Sequence, residues 1–425
     1  MSLAKTTFRR VSLLLSLVPA ACSSGSAGAG PGSDAGGPRG DAGRDAPALD
    51  APALDAPAST TYPAFTPAVP QLVLGSPQGV VLATPQVRPV HFAGDTAAAH
   101  LDGVLSQWFA SSMWATQTAE YGIGPATLAT PVMLSEQPPA TTSDPDIATW
   151  LQGKLDGTHP EFGGVDTATL QSEMFVIFYP PTSTVTYPGV GALCPDIGAY
   201  HLETVVGSAH VAYVVIQTCE GESQPTIDYR EEYEVLATVG APWPNSLPGY
   251  VSFDADHLAW NVLAGDDELS GGALCYFEEF GDGGTPLTSY APVWSNAAMR
   301  AYHDPCVPTA ATGSYFSSVP VMDDDVTTEF GTTKGIRVPV GGSVTVDVQL
   351  LSDGPTSGPW TVDASVLTAT GKAQDAVSFA IDPATGKNGD TLHMTVTVKD
   401  AGVVPFVVTS TLGSRQTQWA GIVAQ

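Results

Sequence analysis

Between Gly313 and Gln425 every apolar run is cut short by Gly, Pro, Asp or Asn, and this punctuation excludes long helices from the C-terminal part of the chain. The runs Gly335–Val340, Ser343–Leu351, Trp360–Val366, Ala376–Ile381, Thr391–Val398, Val403–Ser410 and Thr417–Ala424 are rich in β-branched residues, which suit a pleated, half-buried surface. In the second of them Val344, Val346, Val348 and Leu350 alternate with Thr345, Asp347 and Gln349, so one face meets a core and the other meets water. Seven short strands in about 110 residues predict an all-β, immunoglobulin-like sandwich over 313–425, without an internal disulfide. Trp360 and Trp419 are read as core or sheet-covering aromatics.

From Tyr62 to Pro308 strand and helix signals mix. Gly79–Thr84 and Gln86–Phe92 read as strands, and Asp95–Trp114 carries Leu101, Val104, Leu105, Trp108 and Phe109 at helical spacing. Asp144-Pro145 starts a second amphipathic helix that runs to Leu155, with proline at an early position where its missing N–H costs nothing. Met174–Tyr179 and His210–Gln217 are continuous apolar runs suited to the centre of a sheet. The expected class for 62–308 is α+β or α/β. With 44 glycines and 36 prolines in 425 residues, a helical bundle is excluded. With 43 acidic against 15 basic side chains, so is a nucleic-acid binder that neutralises phosphates.

The N-terminus reads as an address. Lys5, Arg9 and Arg10 precede the apolar run Val11–Val18, then Pro19-Ala20-Ala21 and Cys22. The run is too short to span a bilayer, so 1–21 is an export signal. A cysteine after small residues at this place resembles a bacterial lipoprotein signal, in which Cys22 is acylated and anchors the mature chain in a membrane. Pro19 stands where that pattern usually has Leu, which leaves ordinary cleavage after Ala21 as the alternative, and Arg9-Arg10 leaves a twin-arginine route open. Residues 22–61 repeat Asp-Ala-Pro-Ala-Leu from Asp45 and Asp50 and lack the apolar surface to offset ordering entropy, so a disordered tether is expected. Such a tether spans roughly 35 Å as a flexible coil and up to about 120 Å if stiffened by proline. No later segment reads as membrane-spanning.

Cys194, Cys219, Cys275 and Cys306 remain, an even number without Cys-x-x-Cys spacing, which suits disulfides in an exported protein. Of three connectivities, Cys194 with Cys219 and Cys275 with Cys306 is preferred, because each closes a local loop that contributes about 3 kcal/mol through the unfolded state.

Chemical motifs are sparse. There is no Gly-x-Ser-x-Gly elbow and no His-Glu-x-x-His. His91, His201, His210, His257 and His303 read as hydrogen-bonded side chains at strand ends or in loops. Asp254-Ala255-Asp256 and Asp323-Asp324-Asp325 lack the spacing of a calcium loop and read as solvated turns.

One helix carries a resemblance. Tyr229-Arg230-Glu231-Glu232-Tyr233-Glu234-Val235-Leu236-Ala237-Thr238, followed by Pro242, lies between Cys219 and Gly272-Ala273-Leu274-Cys275. With Val80–Pro89, Glu120–Pro125, Tyr200-His201, Tyr213–Cys219, Ser357–Val362, Asn388–Leu392 and Thr409–Gly413, it resembles a family of secreted bacterial metallopeptidase-like proteins, distantly similar to plant phosphate-induced (exordium-like) proteins. The resemblance covers most of the mature chain. It implies a peptidase-like first domain in which a helical His and the Glu four residues on grip a metal while the intervening Glu polarises water. Position by position, the His falls on Glu231, the water-activating residue on Glu232 and the second ligand on Val235. The Asp of the family's Thr-Asp-Pro ending falls on or near Val239, and Ala273 replaces another Asp.

Val235 offers no lone pair, so the donor pair of a zinc site is broken. Glu231, Glu232 and Glu234 are therefore expected on a solvated acidic helix face, with Tyr233 and Leu236 inward. No cofactor is expected. Zinc enters only if His201, His210 or His257 joins Glu231 in a displaced site with Glu232 as the catalytic group. The reading that results is an exported, lipid-anchored envelope or surface protein whose degenerate peptidase-like domain binds without hydrolysing. Its partners are the membrane, through the lipid, and an envelope or extracellular protein. An active metallopeptidase with a rearranged site and a structural envelope component are the alternatives.

Overall fold

The computed structural model describes residues 61–163, 166–195, 197–264, 269, 274–275, 290–309, 311–328, 331–367 and 376–425. The expectations for the export signal, Cys22 and the tether up to residue 60, and for Gly272-Ala273, lie outside the described residues.

The first unit is organised by strands that are apolar on both sides. β1 (Gln86–His91), β2 (Glu173–Tyr179), β3 (Ala199–Val206) and β4 (Ala209–Gln217) form a sheet in the order β1-β2-β4-β3. β1, β2 and β4 run parallel, and β3 closes the edge antiparallel to β4. All seven residues of β2 are buried, which a half-exposed strand does not allow and a sheet covered on both faces requires.

The pleat sorts them into two cores. Met174, Val176 and Phe178 of β2 and Ala212, Val214 and Ile216 of β4 join Leu101, Leu105 and Trp108 of α1 (Ala98–Ala110) and Val235, Leu236 and Val239 of α5 (Gln224–Gly240). The intervening Phe175, Ile177, Val211, Tyr213 and Val215 join Ile147 and Leu151 of α3 (Asp144–Lys154) and Leu170 of α4 (Thr167–Ser172).

Local chemistry places the helix ends. The expected helix over 95–114 divides at Ser111, which is extended and accepts the N–H of Met113 at 3.2 Å to start α2 (Ser112–Thr118). α3 begins as expected, with Asp146 accepting from the Ser143 hydroxyl at 2.6 Å. Gly79–Thr84 is not a strand. The N–H of Leu82 goes to the carbonyl of Val239 at 2.9 Å, so this stretch is extended chain laid on the end of α5.

The second unit is two packed sheets, and strands dominate the chain as a whole. One sheet has the order β5-β8-β11-β10, with β5 Phe316–Pro320, β8 Ser343–Ser352, β10 Val377–Asp382 and β11 Thr391–Val398. The other has β6-β7-β13-β12-β9 and the short strand Thr385–Gly386, with β6 Asp324–Thr328, β7 Gly331–Arg337, β9 Trp360–Val366, β12 Val403–Leu412 and β13 Arg415–Ala424. Sequence reading missed β5 and β6. In β5, Ser317 and Ser318 are both buried, and tertiary partners satisfy Ser318: its hydroxyl accepts from Trp360 Nε1 at 2.9 Å and from the Ser410 hydroxyl at 2.7 Å. In β6, Asp324 and Asp325 begin a strand rather than a turn, and Lys334 on the paired β7 donates to Asp325 at 2.8 Å.

Disulfides join Cys194 to Cys219 and Cys275 to Cys306, closing loops of 25 and 31 residues. The two units meet through aromatics. Trp260 of α6 (Ala259–Ala264) lies 5.5 Å from Trp294 and 5.4 Å from Trp419 of β13, ring centre to ring centre. Trp360 is in the sandwich core and Trp419 covers the seam.

Candidate functional site

α5 carries the residues that the sequence singles out, and the helix lies inside the first unit. Ile227, Tyr229, Glu231, Glu232 and all of 234–240 are buried. The expected solvated acidic face is therefore absent: Glu231, Glu232 and Glu234 are all buried, while Tyr233, expected inward, is half-buried. The helix packs against α1, β3 and β4, so little of its circumference is left for water. Tyr229, Val235, Leu236, Ala237 and Val239 spread apolar surface around more than one side of α5, which is the pattern of a buried helix and was the signal to read.

The carboxyls have unequal surroundings. Glu231 is 0% exposed, and among the described residues neither of its oxygens has a hydrogen-bond partner. Burial, followed by the like charges of Asp228, Glu232 and Asp102, holds its carboxyl well above the ordinary range. Glu232 accepts the backbone N–H of Ala291 at 2.8 Å. Burial pushes it up to about 8, the Ala291 N–H works against that, and Asp228 adds to it. Glu234 points to another flank, 3.2 Å from His201 Nδ1. Val235, on the face one turn beyond Glu231, is 0% exposed.

Beside α5 is a network built on His91, read from the sequence as a hydrogen-bonded histidine at a strand end, whose aspartate partners the sequence reading did not name. His91, at the end of β1, is fully buried and stacks on Phe178 with ring centres 4.8 Å apart. Its Nδ1 bonds Asp95 at 2.8 Å and its Nε2 bonds Asp102 of α1 at 3.0 Å. Burial works against protonation of this imidazole, but the hydrogen bonds and charges of Asp102 and Asp95 outweigh it and raise its pKa. His100, one turn from Asp95 and next to Leu101, bonds Asp228 at 3.0 Å. A histidine at a strand end followed four residues on by aspartate was the available signal.

The other histidines lie apart from Glu231. His210 bonds Glu203 at 3.0 Å, and His257 bonds Asp254 at 2.8 Å in a turn near Trp419. Neither these nor His201 donates to Glu231, whose oxygens are unbonded. Among the described residues, no three His, Cys, Asp or Glu side chains converge as a metal-binding group. Among the same residues, no helix is long and apolar enough to cross a membrane.

A surface opening lies elsewhere. A cleft of about 530 Å³ is lined by 72–77, Glu120, Tyr121, Tyr250, Asn296 and Arg300. Asn296 holds its floor, accepting the N–H of Leu72 at 2.7 Å and donating to its carbonyl at 2.8 Å, while Val73 and Leu74 keep exposed apolar surface.

No protein-family model matches the chain, and no curated protein matches it. Among solved structures, it is similar to domains 4 and 5 of the S-layer protein SbsC, at 15% identity and a TM-score of 0.17 over 25% of this chain and 54% of that one. The chain thus spans about half the length of that structure. A conjugative transposon lipoprotein from Bacteroides eggerthii aligns at 14% identity and a TM-score of 0.18, over 25% of this chain and 97% of that one. The titin M3 domain aligns at 10% identity and a TM-score of 0.16, over 26% and 94%.

Proposed function

We propose that this protein is exported, anchored by lipid on Cys22 to a bacterial membrane or cell surface, and acts there by binding an envelope or extracellular partner without hydrolysing it. The observation that carries the reading is Val235: the position that would supply the second metal donor is an aliphatic side chain sealed in the core. Glu231, at the place of the first donor, is equally sealed, so neither substrate nor solvent reaches the pair. In this reading the first unit is a peptidase-like scaffold that has lost its metal site, and the cleft lined by Leu72, Tyr250 and Arg300 is the surface open to a partner. The Cys194–Cys219 and Cys275–Cys306 disulfides support an oxidising, exported setting.

The test uses the full chain purified without chelator. Metal analysis is expected to find no stoichiometric zinc, and peptide substrates are expected to stay intact with or without chelator. Stoichiometric transition metal with chelator-sensitive turnover overturns the reading in favour of an active metallopeptidase. Fatty-acid labelling tests the anchor separately, with label expected on the natural chain and lost in Cys22→Ala. An envelope component without a specific partner is distinguished by Tyr250→Ala with Arg300→Ala, which on the binding reading abolishes capture of the partner while leaving the fold unchanged.

A further inference from the structure

We propose that the cleft beside Leu74 takes an extended peptide segment of a partner protein, which adds as a strand to the open edge of Leu72–Leu74 and sets a carboxylate against Arg300. This rests on the binding reading of the cleft and names the shape and chemistry of what enters it.

Leu72–Leu74 pairs antiparallel with Tyr250–Phe253. Backbone groups alternate along the strand. The Gln71 carbonyl accepts the Asp254 N–H at 2.8 Å and the Gly75 N–H donates to the Gly249 carbonyl at 2.6 Å, so both residues face the partner strand. Leu72, one step on from Gln71, faces the other way, where Asn296 accepts its N–H and donates to its carbonyl. Leu74, one step before Gly75, turns to the same side as Leu72. The register shift at this point puts the extra residue, Val251, on the partner strand and leaves the alternation of 71–75 unbroken. Among the described residues, neither the N–H nor the carbonyl of Leu74 meets a partner on that side.

Asn296 shows what this edge accepts. Its side-chain amide makes at Leu72 the two bonds that the peptide group of a neighbouring strand makes, an acceptor for the N–H and a donor for the carbonyl. The mimicry stops after one residue. Val73 and Leu74 remain 36% and 37% exposed and line the cleft of about 530 Å³, a size ordinary for ligand clefts. An extended main chain in the cleft continues the pairing that Asn296 begins, and the half-buried Tyr250 gives its side chains an apolar wall.

Charge selects further. Arg300 is exposed at the end of the helix Asn296–Arg300, and its Nη1 donates to Gln71 Oε1 at 2.5 Å. Among the described residues no carboxylate pairs with this guanidinium, whose remaining N–H groups suit the two oxygens of an incoming acid. Glu120, also in the lining, accepts the Ala297 N–H at 2.8 Å, so the acid of the segment belongs at the Arg300 end.

The test uses the full chain and two end-blocked peptides, Thr-Val-Thr-Val-Asp and Asp-Val-Thr-Val-Thr, which cover both strand directions. Each is also made with every second residue N-methylated, in both frames, which removes the donors from one edge of the peptide at a time. One peptide is expected to bind saturably below about 1 mM and to shift and protect the Leu74 amide in spectra of nitrogen-labelled leucine. One N-methyl frame is expected to lose binding while the other keeps it. Arg300→Ala is expected to weaken binding about tenfold, the usual scale for a charge-assisted bond, and to change nothing for peptides carrying Asn in place of Asp. Leu74→Pro removes an N–H that points away from the sheet, which an edge strand tolerates, and is expected to abolish binding; if it does not fold, the two N-methyl frames decide. Absence of saturable binding, equal binding by both frames, or an unmoved Leu74 amide overturns the proposal. A dimer of the natural chain that Leu74→Pro dissolves overturns it in favour of a second copy at this edge. If Leu74→Pro keeps capture of the partner while Tyr250→Ala with Arg300→Ala loses it, strand addition falls and the binding reading stands; if both keep it, both fall.

Discussion

The two units both bury polar side chains, but they treat them differently. In the sandwich, Ser318 lies between Trp360 and Ser410 and each of the three is bonded, so the site is indifferent to pH. In the helical layer, among the described residues, Glu231 is buried with no donor and Glu232 accepts the backbone N–H of Ala291. A satisfied hydroxyl specifies packing, whereas an unsatisfied carboxyl stores a dependence on proton concentration. What sets the α5 region apart from the sandwich is thus the quality of its bonds, since polarity alone is common to both.

The contrast can be broken or sharpened by substitution. The largest effect is expected from Trp419→Ala, which empties the aromatic seam between the units and costs about 3–5 kcal/mol. Calorimetry should show both units melting earlier and together; two separate transitions, with the first unchanged, would mean that the seam couples nothing. Next is Glu232→Gln. The folded carboxyl titrates at about 8 against an ordinary value of 4.5, so the natural chain takes up a proton on folding between those limits. Its contribution is greatest below pH 4.5 and falls until about pH 8. The amide should remove that fall, leaving the variant near natural stability at pH 5 and on the order of 3 kcal/mol more stable at pH 9, as read from denaturant titrations.

A smaller loss, about 1–2 kcal/mol, is expected for Ser318→Ala, which strands the Trp360 N–H and the Ser410 hydroxyl. Unlike the glutamate change it should be the same at pH 5 and pH 9, and a pH-dependent loss would erase the distinction between the two units. The smallest effect belongs to Thr345→Val on the exposed face of β8, where the hydroxyl meets only Thr395 at 3.2 Å. With Thr395 its one hydrogen-bond partner among the described residues, the change should stay within about 0.5 kcal/mol.

Much of the architecture was legible before any coordinates. Trp360–Val366 and Thr391–Val398 match β9 and β11 residue for residue, and the other five sandwich strands shift by a few residues at their ends. Met174–Tyr179 and His210–Gln217 are the central strands, because an apolar run without alternation has only a doubly covered sheet to occupy. The misread polar positions share one cause. Ser318, Asp324, Glu232 and Glu234 are polar residues whose burial, or whose place in a strand, depends on partners that the local sequence does not show. The Ala291 N–H that reaches Glu232 is 59 residues away, and Ser410 is 92 residues from Ser318.

The chain by itself determined its periodicities and the pairing preference of Cys194, Cys219, Cys275 and Cys306, since each depends on residue type and local spacing. Only the tertiary structure decided that the acidic helix faces inward, that His91 is gripped by Asp95 and Asp102, and that Glu231 finds no donor among the described residues. Burial and hydrogen bonding are properties of what surrounds a side chain, and here the surroundings come from α1, the sheet and the segment around Ala291.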